Sequence, residues 1–512
     1  MKNYKYIGLF LLSLGVISCD VNNDLDPILE EAAPVVQLNT NGLDFSSYVS
    51  IGASFTAGFT DNALFIKGQE NSFPNILAGK FSTDFSQPLM NDNIGGLLFG
   101  GNVIQGPRLY FNGAGPTPLQ ATPTTEVTNS VSGNLNNFGI PGAKSFHFVA
   151  EGYGNVQGVP LGLANPYFAR MASSSNATVL GDAMAQNPTF FTLSEIGGND
   201  VLGYALSGGS GVDQTGNLNP ATYGSSDITD PNVFASVFSN MVTALTSGGA
   251  KGVIANVPYI TNLAHFITVP YNPVPLDSGT AAQLNSQLLG PVIQILTALG
   301  QPDRIALLEA SSSNKLLLRD ENLVDFSAQI SGALQQAGVP AAQAQLMGSL
   351  YGQARHATSA DLFVLPLSSA IGTAQPGIPA PFNTVGVTYP LEDKWAITPE
   401  EQLAIKTATD AYNTTIAAVA SANPNVALVD FKGLLEQSAS GIAFDQYTLT
   451  TSLVTGGLIS LDGVHLTGRG YALMANKIMA AMDTKFGSNF TTATNGLAKA
   501  DDYPTNYSPA LR

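Results

Sequence analysis

A hydroxyl becomes a nucleophile when a base takes its proton, and an imidazole serves as that base when an acid fixes its tautomer. One segment holds the last two together: Asp462-Gly463-Val464-His465 puts a carboxylate three residues before an imidazole. That carboxylate can accept one ring N–H and leave the other nitrogen free. The chain has four histidines, and His147, His265 and His356 lack such a neighbouring acid. None of the four has metal-ligand spacing with another, so a zinc site is not expected. A candidate nucleophile is Ser54, in the small-residue turn Gly52-Ala53-Ser54-Phe55-Thr56-Ala57-Gly58. In Ile196-Gly197-Gly198-Asn199-Asp200 the Asn199 amide can donate to a developing oxyanion, and Gly142, closing Asn137-Phe138-Gly139-Ile140-Pro141-Gly142, offers an unhindered N–H. Taken singly, the Ser54 and Asn199 segments read more readily as a turn or a helix cap, and His465 as a structural histidine.

These groups meet only if the elements before them bring them to one place. Five β-rich runs, Ser47–Ile51, Asn134–Phe138, Phe190–Glu195, Gly252–Val257 and Val426–Phe431, are separated by longer helical or irregular stretches. That pattern predicts a parallel sheet with helices on its faces, and such sheets bind ligands at the carboxyl ends of their strands. Ser54 and Asn199 follow the first and third runs. A capped crossover helix is expected from Asp230-Pro231, with Phe234, Phe238, Met241, Val242 and Leu245 on its apolar face. Thr398-Pro399-Glu400-Glu401 reads as a capping box opening a helix to about Ala420. After His465, Thr467-Gly468 precedes an amphipathic helix with Tyr471, Leu473, Met474, Ile478 and Met482.

Together the segments resemble the GDSL, or SGNH, hydrolase family, in which Ser, Gly, Asn and His stand in four ordered blocks. Gly52-Ala53-Ser54-Phe55 matches the nucleophile block, Gly139-Ile140-Pro141-Gly142 the glycine block, Gly197-Gly198-Asn199-Asp200 the Asn-Asp block and Asp462-Gly463-Val464-His465 the Asp-x-x-His block. The family's acidic residue before the serine is Ala53 here; in the family pattern that position supports the nucleophile loop. The resemblance implies a flavodoxin-like α/β/α sandwich with a five-stranded parallel sheet, and a serine esterase or lipase needing no cofactor. Ser54 would attack an ester, His465 act as base and Asp462 orient it, with the oxyanion held by the Ser54 and Gly142 N–H groups and the Asn199 side chain. Two other readings stay open: an amphiphile-binding or transport-accessory lipoprotein on the same fold, and a carbohydrate O-deacetylase.

At 512 residues the chain exceeds the usual size of one core, so one large domain with insertions, or two domains, is expected. Hydrophobic residues at 44% and charged residues at 11% exclude general disorder. A net charge of −17 with no Lys/Arg cluster excludes nucleic acid as a partner. At the N-terminus, Lys2, Lys5, the apolar run Ile7–Ile17 and Val16-Ile17-Ser18-Cys19 resemble a bacterial lipoprotein signal peptide; the alternative is a plain secretory signal with an incidental cysteine. Residues 1–18 would then be removed and Cys19 lipidated, anchoring the chain to a membrane of the bacterial envelope, the outer membrane in this reading. Residues 19–45 would form a tether, 46–490 the hydrolase domain and 491–512 a tail. Insertions are expected at 88–123 and 259–394, the second with helical patterns over Ala281–Leu299, Leu323–Ala337 and Ala341–Gln353 and strand-like runs at Ile305–Leu308 and Leu362–Leu365. Its apolar stripe Leu284, Leu288, Leu289, Val292, Ile293 and Leu296 either roofs the site and binds an acyl chain or only glues the insertion to the sheet.

Overall fold

Strands buried on both faces must be apolar or carry polar groups that satisfy one another. In the computed structural model, which describes residues 34–512, the central strands do both; Cys19 and the apolar run before it lie outside the described residues. Strands β1 (Tyr48–Gly52), β2 (Asn137–Gly139), β3 (Phe190–Ser194), β4 (Lys251–Ala255) and β5 (Val426–Val429) form one all-parallel sheet in the order 2-1-3-4-5. Every residue of β1 and β3 is buried. Three of their polar side chains pair across the sheet, Thr192 Oγ1 lying 2.8 Å from Ser50 Oγ and 2.9 Å from Tyr48 Oη, while Ser194 Oγ is buried without a partner. All five expected strands are present. The second is shorter than the expected Asn134–Phe138, because the Asn136 N–H donates to Ser86 O at 2.8 Å and its side chain accepts from Ser86 N.

Helices flank this sheet: α1 (Ser54–Ala57), α2 (Asn199–Leu206), α3 (Pro231–Thr246), α4 (Pro399–Ala422) and α5 (Gly468–Phe486) are those that bear on the site. Asp230 Oδ1 caps α3 by accepting from Asn232 N at 2.7 Å and Val233 N at 3.0 Å, and Phe234, Phe238, Met241, Val242 and Leu245 are its buried face. At the start of α4 the Thr398 N–H donates to Glu401 Oε2 at 2.6 Å, the backward half of the expected capping box. Helices α3 and α4 pack on each other, and α4 and α5 each pack on β4 and β5.

Ile260, Leu263, Ala264, Phe266 and Val364 of the 259–394 insertion join the first core, while most of it builds a second. Leu288, Leu289, Val292 and Leu296 are buried there with Ile330, Leu334, Met347 and Tyr351, and Leu284 and Ile293 pack against them. The expected first helix is broken into Ser278–Leu284, a wide π turn Asn285–Leu289 and Gly290–Ala298, where Pro291 has no N–H to continue the α pattern. The expected second and third helices span Ser327–Gln336 and Ala341–Tyr351. Ile305–Leu308 is not a strand. Its backbone is held by side chains instead: Leu308 N and O bond the Asn285 amide at 2.9 and 2.8 Å, and Ala306 N donates to His356 Nδ1 at 3.0 Å. The insertion's sheet pairs Leu317–Arg319 with Ala354–His356. Leu362–Phe363 pairs with Ala396–Ile397 and then turns into a 3₁₀ segment at Leu365 with Pro366 in its first turn. The 88–123 insertion forms two small hairpins, Leu97–Phe99 with Asn102–Gln105 and Leu109–Phe111 with Pro116–Pro118.

The expected tether and tail are both shorter than their sequence ranges. Leu43 and Phe45 are buried, and the Phe45 ring stacks on Phe81 with centroids 3.9 Å apart. At the other end Ala498, Ala500 and Tyr507 are buried. The reason lies in Arg108, which is fully buried and donates to Asn93 O at 2.8 Å, Ser508 O at 2.7 Å and Leu511 O at 3.1 Å. Removing residues 504–512 would take the Ser508 and Leu511 carbonyls from this guanidinium and leave it Asn93 O. Truncation after residue 503 should therefore cost about 3 kcal/mol or more, seen as a lower midpoint in denaturant; an unchanged midpoint would make the segment a mere tail.

Candidate active site

The carboxyl ends of β1, β2 and β3 are joined by loops that fasten one another. Strand β1 runs through Ala53 into α1, so Ser54 opens that helix. Helix α1 lies directly on β2: a Cβ added to Gly139 would fall 2.2 Å from Ala57 N, so only glycine permits the approach. Beyond β3, Asn199 opens α2. One N–H of its side chain donates to Ala143 O at 2.9 Å, leaving the other for a ligand, while Asp200 accepts from Ser145 N at 2.8 Å and Ser145 Oγ at 2.6 Å. Two adjacent residues of the third block thus hold the loop that carries Gly142, whose φ is +79°.

The fourth block docks on the first. His465 Nδ1 lies 2.9 Å from Asp462 Oδ2, and Nε2 has no partner among the described residues. Asp462 also accepts from Val464 N and His465 N at 2.8 Å each, from Asn62 N at 2.8 Å and from Ser460 Oγ at 3.1 Å. Burial alone would raise this carboxyl; the neighbouring His465 and the hydrogen bonds outweigh it and hold the group well below the ordinary carboxylate range. The His465 ring packs against Phe59 and Phe55, centroids 4.6 and 5.6 Å away, and Tyr471 Oη donates to Phe59 O at 2.6 Å. These contacts bring His465 to two residues of the segment that follows Ser54. The other histidines are differently engaged: burial lowers His147 and His356 to about 4, and each accepts a backbone N–H at Nδ1, from Lys144 and Ala306.

Ser54 and Asn199 share the wall of an apolar cavity of about 120 Å³. Leu263, Phe431, Leu434, Leu435 and Met474 line it, together with Val464 and Leu466 on either side of His465. Gly142 and His465 themselves are not part of that lining, and neither is any residue of the Leu284–Leu296 stripe or of residues 88–123. The expected roof is therefore absent from this cavity: the stripe is consumed by the insertion's own core.

Two acids of this region were not singled out by sequence. Glu195, the residue after β3, takes up a left-handed φ of +62° and turns its carboxylate under α1. It accepts from Phe55 N at 2.7 Å, Thr56 N at 2.8 Å and Thr56 Oγ1 at 2.5 Å, the donors directly following Ser54. Asp61 is buried behind Asp462, its Oδ1 accepting from Leu461 N at 3.1 Å. A glutamate before a glycine pair carries no periodic signal; only the apolar strand preceding it hinted that its charge would be buried.

Burial lifts the Glu195 carboxyl to about 7, against the pull of its hydrogen bonds from Thr56, Phe55 and Ala53. The unfolded chain loses this proton near 4.5, so between there and about 7 only the folded form keeps it. The stability this gives is complete below 4.5 and is lost as the pH rises through 7. Asp61 behaves alike, burial raising it from 3.8 to about 7. Glu195→Gln should therefore shrink the drop in unfolding free energy between about pH 5 and 7 by about 2 kcal/mol. Urea titrations at both values check this, and an unaltered drop would exclude Glu195 as a buried proton site. No family model, curated protein or solved structure matches the chain, so what these residues do must be read from their geometry.

Proposed function

We propose that the chain is a serine esterase that transfers an acyl group from an alcohol to water. The observation that carries the reading is the convergence just described. Ser54 and Asn199 face one apolar cavity, and a histidine with a free Nε2, braced by a buried carboxylate, packs on Phe55 and Phe59 in the segment that follows Ser54. The strand order 2-1-3-4-5 supports a flavodoxin-like sandwich, whose ligand crevice opens between β1 and β3. Ser54 follows the first of those strands and Glu195 and Asn199 the second.

In this mechanism His465 Nε2 takes the Ser54 Oγ proton as Oγ bonds to the ester carbonyl carbon. Asp462 stabilises the imidazolium without taking its proton. The oxyanion is met by the Ser54 and Gly142 N–H groups and the unused N–H of Asn199, each donor worth about 2.7–4 kcal/mol in the transition state. The intermediate collapses as the C–O bond to the alcohol breaks and His465 returns the proton to the leaving oxygen. Water then attacks the acyl-enzyme, giving its proton to His465, and the acid leaves as Ser54 Oγ is reprotonated. Glu195, by taking the Phe55 and Thr56 N–H groups, positions the turn that carries the nucleophile, the duty that falls to an acidic residue at position 53 in the resembled family.

The apolar lining favours an ester with an apolar acyl chain over an acetylated glycan. A fluorophosphonate should label Ser54 in the wild type and fail in Ser54→Ala. Ser54→Ala and His465→Ala should each lower p-nitrophenyl ester hydrolysis by at least about 10³-fold, and the double variant by little more. Each buried CH₂ contributes about 0.8 kcal/mol, so kcat/KM should climb from acetyl to about hexanoyl esters. Retained labelling in Ser54→Ala would sink the nucleophile, and a profile falling from acetyl would favour the O-deacetylase reading.

The proposal extends to location: with a lipid on Cys19 the enzyme acts at a bacterial envelope membrane. The signal-like residues 1–18 support this. Mass spectrometry of the cell-made protein should find a diacylglyceryl-modified Cys19 as the first residue; an unmodified start elsewhere would refute the anchor.

A further inference from the structure

The insertion meets the body of the protein at three carboxylates. Glu321 follows the insertion strand Leu317–Arg319, Asp393 opens the single turn Asp393–Trp395 that leads back to the body, and Glu401 lies in the first turn of α4. One carboxylate oxygen from each lies within 4.8 Å of the other two. Like charges so close repel. Among the described residues no Lys, Arg or His forms an ion pair with any of the three.

A second observation is independent of that spacing. Glu401 is 5% exposed; its Oε2 is taken by the Thr398 N–H, but its Oε1 is buried with no hydrogen-bond partner. A carboxylate oxygen removed from water without a donor is costly, and a cation removes that cost. The loop after α2 closes over this same atom. A Cβ on Gly209 would stand 2.1 Å from Glu401 Oε1, and one on Gly208 would stand 2.0 Å from the Asp393 carbonyl oxygen. The protein backbone therefore walls one side of the cluster, while Glu321 is exposed and leaves the other open to water.

We propose that Glu321, Asp393 and Glu401 bind a calcium ion that clamps the insertion to α4 and to the loop after α2. The donors are all oxygen, with no histidine or cysteine among them, which selects a hard cation. Oxygens within 4.8 Å of one another can share one ion at the Ca–O distance of about 2.3–2.6 Å. Calcium takes about six to eight oxygens in flexible geometry, so water and nearby carbonyls can complete the shell. Magnesium, at about 2.0–2.1 Å and strictly octahedral, fits three loosely spread carboxylates less well. The clamp lies at the far end of α2 from Asn199, and so would steady the helix that carries the proposed oxyanion donor.

Trp395, the only tryptophan in the chain, stands two residues from Asp393 and serves as a built-in antenna for terbium in place of calcium. Under tryptophan excitation the full chain should give terbium emission that calcium displaces. In Glu321→Gln/Asp393→Asn that emission should fall at least about tenfold. Calcium at about 5 mM should raise the wild-type Tm by about 3 °C and leave the double variant unmoved. Glu401→Gln, which keeps an acceptor for the Thr398 N–H, should lose the response as well and guards against a folding defect in the first variant. Equal terbium emission in wild type and variants, or no thermal shift with calcium, overturns the site. An equal shift with magnesium overturns the choice of ion.

Discussion

A carboxylate taken out of water has to be solvated by the protein, and the way Asp462 is solvated ties the two ends of the fold together. Four of its donors, Ser460 Oγ, Val464 N, His465 N and His465 Nδ1, come from its own loop. A fifth, Asn62 N, comes from the segment that follows the Ser54 turn, some four hundred residues earlier in the chain. The charge cannot be satisfied unless the last block docks on the first. Tyr471 and Asp61 repeat the link from either side, one through Phe59 O and the other through Leu461 N. Stability and the placement of the proposed base therefore rest on the same few hydrogen bonds. A change that loosens them leaves a buried charge without donors as well as a histidine without its brace.

The turn that presents Ser54 meets an analogous demand. Its opening amides have no carboxylate at position 53 to turn to, since Ala53 offers only a methyl group. Glu195 fills that need from the next strand, at the cost of a left-handed backbone and a charge pushed toward protonation by burial. Residue 195 also stands between β3 and the Gly197-Gly198-Asn199 turn. One side chain thereby fixes the spacing between the serine and the asparagine, which lie at the ends of adjacent strands. Both neighbours of the crevice are set by one buried group.

The parts legible in the sequence were those written in local patterns. Apolar runs gave the five strands, Asp230-Pro231 and Thr398-Pro399 marked the starts of α3 and α4, and the Asp462–His465 spacing marked a pair that the fold brings to 2.9 Å. What escaped depends on partners distant in the chain. Ile305–Leu308 has the composition of a strand, yet the Asn285 and His356 side chains occupy its backbone groups before another strand can. The C-terminal residues look like a loose tail until Arg108, far upstream, is seen to draw their carbonyls inward. Glu195 was invisible because its role comes from where its side chain turns, not from any spacing.

The insertion shows why an apolar stripe does not by itself predict a substrate channel. Leu288, Leu289, Val292 and Leu296 have the width expected of a lid, but a segment this long can bury such a stripe within itself. Once it does so, it carries a second core beside the first, and Trp395, which packs against both cores, and the short pairing of Leu362–Phe363 with Ala396–Ile397 join the two. The apolar lining near Ser54 then has to come from the sheet's own side: Phe431 and Leu435 from the helix after β5, and Met474 from α5. Of the whole insertion only its first residues, Ile260 and Leu263, reach that lining. Under the proposed esterase reading, selectivity for the acyl chain would rest on the strands and helices of the body, and the insertion would reach it through the segment Tyr259–Leu263.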